Sequence, residues 1–229
     1  MMSSMTRLFA ATLFLPALAL AGELKFEDFV VDTPGLWTVN DGVITGKHTG
    51  LKYNDFLRSK KFYGNFRLSL QFQLVGGIGN SGVQFRSKPV PDSHEVAGYQ
   101  ADVGEKYWGA LYDESRRKKV LAQSPTPDLD PKAWHNYVIT ADGNHIILEL
   151  DGKRTVDYRE TEPGIERSGF LALQVHSGPG IEVHFKDLQM TELPPGPALG
   201  ENVASLIPNF ADQVGPKGLF VLFVRSADW

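Results

Sequence analysis

The 229-residue chain has no cysteine, which excludes disulfides, thiolate metal sites and thiol catalysis within it. Neither sign of charge is in much excess: 23 lysines and arginines stand against 27 aspartates and glutamates, a formal net charge of −4. That balance gives no electrostatic reason to expect nucleic acid or an anionic membrane as partner. The six histidines (His48, His94, His135, His145, His176 and His184) are scattered and lack zinc spacing. Long apolar runs are scarce too. The run from Leu8 to Leu20 contains Pro16 and falls short of the ~20 residues that span a bilayer. With Arg7 ahead of it and Ala19-Leu20-Ala21 behind it, this stretch reads as an export signal over residues 1–21, cleaved after Ala21. The expectation is an exported protein, periplasmic or secreted, with no membrane attachment once the signal is removed.

What the chain does have is period-two patterning. Phe66, Leu68, Leu70, Phe72 and Leu74 alternate with Arg67, Ser69, Gln71 and Gln73, and the same rhythm returns at Tyr137 and Ile139, at Ile146, Leu148 and Leu150, and at Val183 and Phe185. Alternation of this kind marks half-buried strands. Asn40-Asp41-Gly42, Gly76-Gly77, Asp142-Gly143-Asn144 and Asp151-Gly152 punctuate the strands, and Asp-Gly and Asn-Gly pairs supply the positive φ angles of tight hairpins. Helical periodicity is weak. The pattern predicts an all-β domain over residues 22–193, a β-sandwich or jelly roll.

The same alternation sorts polar residues onto faces. If Leu171, Leu173 and Val175 feed the core, Gln174 and His176 lie opposite; Val83 and Phe85 leave Gln84 and Arg86 opposite; Ala101 and Val103 leave Gln100 and Asp102 opposite. Three strands thus offer pairs of polar side chains to a shared groove. The basic run Arg116-Arg117-Lys118-Lys119 reads as a solvated loop, and His184, between Glu182 and Lys186, as a solvated strand residue.

Several runs carry a resemblance: Gly79-Asn80-Ser81-Gly82-Val83-Gln84-Phe85-Arg86, Gly98-Tyr99-Gln100-Ala101-Asp102-Val103-Gly104, Trp108-Gly109-Ala110-Leu111-Tyr112-Asp113-Glu114, Trp134-His135-Asn136-Tyr137 and Leu173-Gln174-Val175-His176-Ser177-Gly178. Together, in this order, they resemble the 3-keto-disaccharide hydrolase family across residues 24–193. The resemblance implies a concanavalin A-like jelly roll and a carbohydrate substrate, a glycoside whose C3 hydroxyl has already been oxidised to a ketone. Such a ketone acidifies the C2 proton, so a base can form the enolate and the C1 oxygen can leave by elimination, after which water adds. The route needs a base near C2, a cation or donor at the C3 oxygen and an acid near the leaving oxygen.

His176 is the candidate base, because imidazole is the side chain type suited to proton transfer near neutral pH, and Arg86 the candidate enolate stabiliser. Asp102 can orient His176, act as base itself or bind a divalent metal ion, which leaves any metal requirement open. Glu114 and Tyr112 are candidates for the acid or for sugar contacts. Asn80, Gln84, Gln100 and Gln174 have the two-way hydrogen bonding that sugar hydroxyls favour. The stretch Gln100-Ala101-Asp102-Val103-Gly104-Glu105 departs from the Glu-x-Asp-x-x-Glu strand of laminarinase-type retaining glycosidases. An amide replaces the first carboxylate, which disfavours a two-carboxylate mechanism. The alternative is a non-catalytic carbohydrate-binding module tethering a thiol-redox domain, for which Trp37, Trp108 and Trp134 would serve as platforms, although Trp134 reads more naturally as core.

Composition shifts at Leu193-Pro194-Pro195-Gly196-Pro197, a stiff linker. The tail, residues 194–229, ends in an apolar strand and Trp229. It resembles the start of a thioredoxin-like domain, cut just before its reactive cysteines would appear.

Overall fold

The computed structural model describes residues 20–125 and 128–194. The expected signal, apart from its last two residues, and the thioredoxin-like tail beyond Pro194 lie outside the described residues. Fifteen strands account for nearly all regular structure there, with single 3-10 turns at Phe26–Asp28 and Val75–Gly77. In chain order the strands are β1 (Leu20–Glu23), β2 (Phe29–Val30), β3 (Trp37–Asn40), β4 (Val43–Leu51), β5 (Asp55–Tyr63), β6 (Phe66–Leu74), β7 (Asn80–Pro89) and β8 (Val96–Gly104). There follow β9 (Leu111–Glu114), β10 (Lys119–Ala122), β11 (His135–Asp142), β12 (His145–Leu150), β13 (Lys153–Arg159), β14 (Gly169–Val175) and β15 (Gly178–Glu192).

They form two sheets of antiparallel pairs. The first runs β13-β12-β11-β6-β15-β4-β3, with β1 also on β15; the second runs β10-β9-β8-β7-β14-β5-β2. This is a jelly-roll β-sandwich. The hairpins close where the turn residues dictate: Asp41 and Gly42, and Asp151 and Gly152, all have positive φ, so two-residue turns match the strand twist. Asp151 also accepts from His135 Nδ1 at 2.7 Å and from the Asn136 amide at 2.8 Å.

The core lies between the sheets. Phe66, Leu68, Leu70, Phe72 and Leu74 of β6 face Val83 and Phe85 of β7, Ala101 and Val103 of β8, and Leu171, Leu173 and Val175 of β14 within one buried cluster. The other face of the second sheet, to which the alternation assigned the polar pairs, is largely covered. It carries a small apolar cluster of Phe56, Val96, Phe170 and Ala172, and beside it Gln84, Gln100, Asp102 and Gln174 are all buried.

Three expectations about single residues are corrected. Trp37 and Trp108 are core residues, Trp37 donating to Asp55 Oδ1 at 2.7 Å. Trp134 is outside the core, half-buried, with Lys186 Nζ 4.3 Å from its ring centre and His184, itself bonded to Glu182, tilted against it. Nor is the basic run simply solvated. Arg117 pairs with Asp113 and, through Nη2 at 2.7 Å, with Glu160, while Arg116 and Arg117 both lie over the Tyr99 ring. That network ties the β9–β10 hairpin to the segment after β13.

Candidate active site

Six of the nine residues singled out from the sequence line one cavity of about 280 Å³ on the outer face of the second sheet: Asn80, Gln100, Asp102, Tyr112, Glu114 and His176. They come from β7, β8, β9 and the turn after β14, neighbouring strands of the second sheet, and the face on which each points was set by its place in the alternation.

Asp102 sits in the floor, 4% exposed. Its orientation is imposed by a chain of side chains. Ser87 Oγ donates to Gln84 Oε1 at 2.9 Å, Gln84 Nε2 to Gln100 Oε1 at 2.6 Å, and Gln100 Nε2 to Asp102 Oδ1 at 2.7 Å. Each amide in the chain accepts with its oxygen and donates with its nitrogen, so Oδ1 is an acceptor and a proton on Asp102 belongs on Oδ2. Gly82 makes this possible: a Cβ there would lie 2.7 Å from Gln100 Cγ. Burial pushes the Asp102 carboxyl up to about 8, reinforced by Glu114, while hydrogen bonds from Gln100 and Asn80 pull the other way. Desolvation wins, and Asp102 is a neutral acid at pH 7.

Glu114 is also raised, first by burial and then by the nearby charge of Glu95, with the backbone of Ser115 and His176 acting against it. Burial likewise raises Tyr112, with Glu114 and Asp102 adding to the effect. His176 differs because its contacts fix a tautomer. Its Nδ1 lies 2.8 Å from the Ser177 carbonyl oxygen, which can only accept. The neutral ring therefore carries its hydrogen on Nδ1 and leaves the Nε2 lone pair available. The orienting partner of His176 is thus a backbone carbonyl and not Asp102. The His176 carbonyl is itself held by His48 Nε2 at 2.9 Å, and the Ser177 amide donates to Asn54 Oδ1 at 2.9 Å.

Three residues are not in the cavity wall. Gln84 lies behind Gln100 as the middle of the chain just described. Gln174 is fully buried, and neither its Nε2 nor its Oε1 has a hydrogen-bond partner. Arg86 is the largest correction. A bulge between Phe85 and Lys88 breaks the register of β7 with β8, and Arg86 takes a left-handed φ of 49°, so strict alternation ends there. Its guanidinium is 2% exposed and donates to Gly64 O at 2.9 Å, Gly143 O at 2.7 Å and Asn65 Oδ1 at 3.1 Å. It ties the β5–β6 turn to the β11–β12 turn and does not reach the cavity. Asp102 and Arg86 make no cross-strand pair.

The 3-keto-alpha-glucoside-1,2-lyase-like domain matches residues 24–191. The chain belongs to that family. No curated protein matches it. Among solved structures, the lyase-like domain is similar to the carbohydrate-binding module CBM66 from Bacillus subtilis, at 18% identity over 79% of this chain and 100% of that one, TM-score 0.56. It is also similar to a glycosyl hydrolase candidate from Parabacteroides distasonis, at 18% identity over 69% and 84%, TM-score 0.55. A β-glucanase from Bacillus licheniformis shares 11% identity over 70% and 84%, TM-score 0.52. These likenesses establish the fold.

The lyase-like domain also presents residues that sequence reasoning missed. Asn54, Glu105 and Tyr107 line the same cavity. Glu105 and Tyr107 arrive there because the chain turns back after β8. Gly104 has φ +101° and Gly109 φ +73°, and the amide of Gly109 returns to bond Asp102 O at 3.1 Å. A Cβ at Gly104 would lie 2.2 Å from the Gly79 carbonyl oxygen. The two glycines bracketing Glu105 to Trp108 were the available signal. Among the described residues no group of three or more histidine, aspartate or glutamate side chains is arranged to hold a metal ion.

Proposed function

We propose that the lyase-like domain cleaves the C1 glycosidic bond of 3-keto-glycosides by elimination. The observation that carries this reading is the pairing, in one cavity, of a base and a neutral acid: His176, whose hydrogen is tied at Nδ1, and Asp102, whose carboxyl is held up to about 8. His176 Nε2 removes the C2 proton. Electron density moves onto the C3 oxygen, where the Asp102 Oδ2–H is a buried donor suited to a developing enolate. The enolate then re-forms the C3 ketone as the C1–C2 double bond forms and the C1–O bond breaks. The departing oxygen takes a proton from Glu114, whose carboxyl is also biased toward its protonated form. The products are a 1,2-unsaturated 3-keto sugar and a free alcohol, and water addition at C1 would give the 3-keto sugar. In this account Asp102 takes the task that the sequence assigned to Arg86.

Support for chemistry over simple capture comes from the aromatics. A binding platform favours exposed indoles, yet Trp37 and Trp108 are in the core, Trp134 is half-buried against Lys186 and His184 of β15, and the cavity is lined by carboxyls, amides, an imidazole and two tyrosines. The test is incubation with methyl 3-keto-glucoside and with methyl glucoside. Release of methanol from the keto sugar alone, lost in His176→Ala, is expected. Saturable binding with no turnover would favour the carbohydrate-binding reading.

A further inference from the structure

Strand pairing leaves one peptide of the cavity wall to other partners. Val175, the last residue of β14, pairs with Asp55 and Ser81 in the second sheet. Gly178, the first of β15, pairs with Leu51 in the first sheet. His176 and Ser177 carry the chain from one sheet to the other and lie between the two ladders. Backbone groups outside a ladder need other partners where water is excluded. Here both groups of the single peptide bond joining His176 to Ser177 are met by side chains. His48 Nε2 lies 2.9 Å from the His176 carbonyl oxygen, and Asn54 Oδ1 accepts from the Ser177 amide at 2.9 Å. In a trans peptide these two groups point in opposite directions, so the plane is held from both edges.

The chemistry of the partners fixes which atoms meet. A carbonyl only accepts, so His48 carries its hydrogen on Nε2. His48 follows Ile44 and Gly46 on the inward face of β4, and its other nitrogen, Nδ1, is buried without a partner. His135 is the contrast, a histidine engaged at both nitrogens, Nδ1 with Asp151 and Nε2 with the Asp130 carbonyl. Where His135 ties a turn together, the one bond of His48 goes to the residue that carries the imidazole of the cavity. The Asn54 amide is oriented just as firmly. Its Nδ2 donates to Glu95 Oε2 at 3.2 Å, which turns Oδ1 toward Ser177.

We infer that His48 and Asn54 clamp this peptide plane, and that the clamp positions His176 as a base. This rests on His176 Nε2 taking the C2 proton, as proposed above. Rotation of the plane changes ψ of His176 and φ of Ser177, and with them the approach of the Ser177 carbonyl, 2.8 Å from His176 Nδ1. That carbonyl holds the ring hydrogen on Nδ1 and aims the ring. If the plane turns, the carbonyl leaves the ring, and the tautomer with hydrogen on Nε2, which has no lone pair to offer there, gains population. Gly178, at φ +111°, lets the chain turn directly after the clamped plane. His48 lies outside the cavity wall and acts only through the backbone of His176; Asn54 is also part of the wall.

The test uses His48→Leu, which keeps bulk and removes the donor, and His48→Gln, whose Nε2 restores one. His48 is outside the core cluster, and urea unfolding checks that both variants are folded. With methyl 3-keto-glucoside, His48→Leu is expected to lower kcat by about tenfold or more with KM changed by less than about twofold, and His48→Gln to recover most of the loss. Unchanged kcat in His48→Leu, or equal losses in both variants, overturns the clamp. The second readout is nitrogen-15 NMR of histidine-labelled protein at about pH 8.5, above the ordinary imidazole range, with His176→Ala to assign the ring. It needs no substrate. The His176 hydrogen is expected on Nδ1 in the wild type and in His48→Gln, and shifted toward Nε2 in His48→Leu and in Asn54→Leu. A tautomer unchanged in either leucine variant overturns the positioning role. If the wild type does not cleave the keto sugar, the elimination reading falls, and the spectra alone decide the clamp.

Discussion

At the scale of single residues, proton position decides chemistry. The Ser177 carbonyl holds hydrogen on His176 Nδ1, so the neutral imidazole offers Nε2 as a base. Replacing His176 by alanine should lower kcat by about 100-fold or more, with the far-ultraviolet circular dichroism spectrum unchanged because the side chain is outside the core. Asp102 makes a prediction of opposite kind. Its folded-state pKa, about 8, lies above the unfolded value of about 3.9, so the native state binds more protons than the unfolded chain between those limits. Stability therefore falls as pH rises from about 4 to about 8. Asp102→Asn should flatten that slope, measured by urea unfolding at a series of pH values, leaving the share of Glu114, and be more stable than the wild type at pH 8. The same substitution should remove an alkaline limb near pH 8 from the kcat/KM profile. His176 and Asp102 were legible in the sequence because they sit at clean alternating positions, opposite Leu173 and Val175 or Ala101 and Val103. Arg86 was not, because one bulged residue inverts the face on which everything after it points.

At the scale of elements, that bulge has its own support. The strands on either side place glycines against it: a Cβ at Gly98 of β8 would lie 2.1 Å from Ser87 Oγ, and one at Gly169 of β14 would lie 2.5 Å from backbone atoms of Arg86 and Ser87. Gly169→Ala should destabilise the domain by about 1–3 kcal/mol through overpacking, read from urea unfolding midpoints. It should also lower kcat, because Ser87 begins the hydrogen-bond chain that ends on Asp102. Arg86→Met removes a buried cation from three oxygens on two turns and should cost about 3 kcal/mol in the same assay. A larger effect of Arg86→Met on kcat than of His176→Ala would contradict its placement as a tie between turns. The loop after β8 was the other element hidden from sequence. Gly104 and Gly109 could be read as turn residues, but the return of the Gly109 amide to the Asp102 carbonyl, which carries Glu105 and Tyr107 to the cavity, is a matter of backbone pairing across the loop and has no periodic signature.

At the scale of the whole molecule, the jelly roll follows from two faces with different duties. Alternation read from β6, β11, β12 and β15 identified the core face reliably, because a strand with one buried face must alternate. The second sheet was harder. β14 is buried along its whole length and β8 along nearly all of it, so alternation could place its polar residues at a groove but not show that they form a covered floor. That floor distinguishes the domain from a sandwich that only packs: it keeps Asp102 neutral, and Gln100, the amide in place of a laminarinase-type carboxylate, is the group that holds it. Removal of the C2 proton by His176 with loss of the C1 oxygen is open to a direct measurement with a 3-keto-glycoside deuterated at C2. Cleavage with a primary isotope effect on kcat/KM and an unsaturated 3-keto product is expected, and no reaction on the unoxidised glycoside. Equal rates for the two isotopologues, with the unoxidised glycoside cleaved as fast as the ketone, would contradict it.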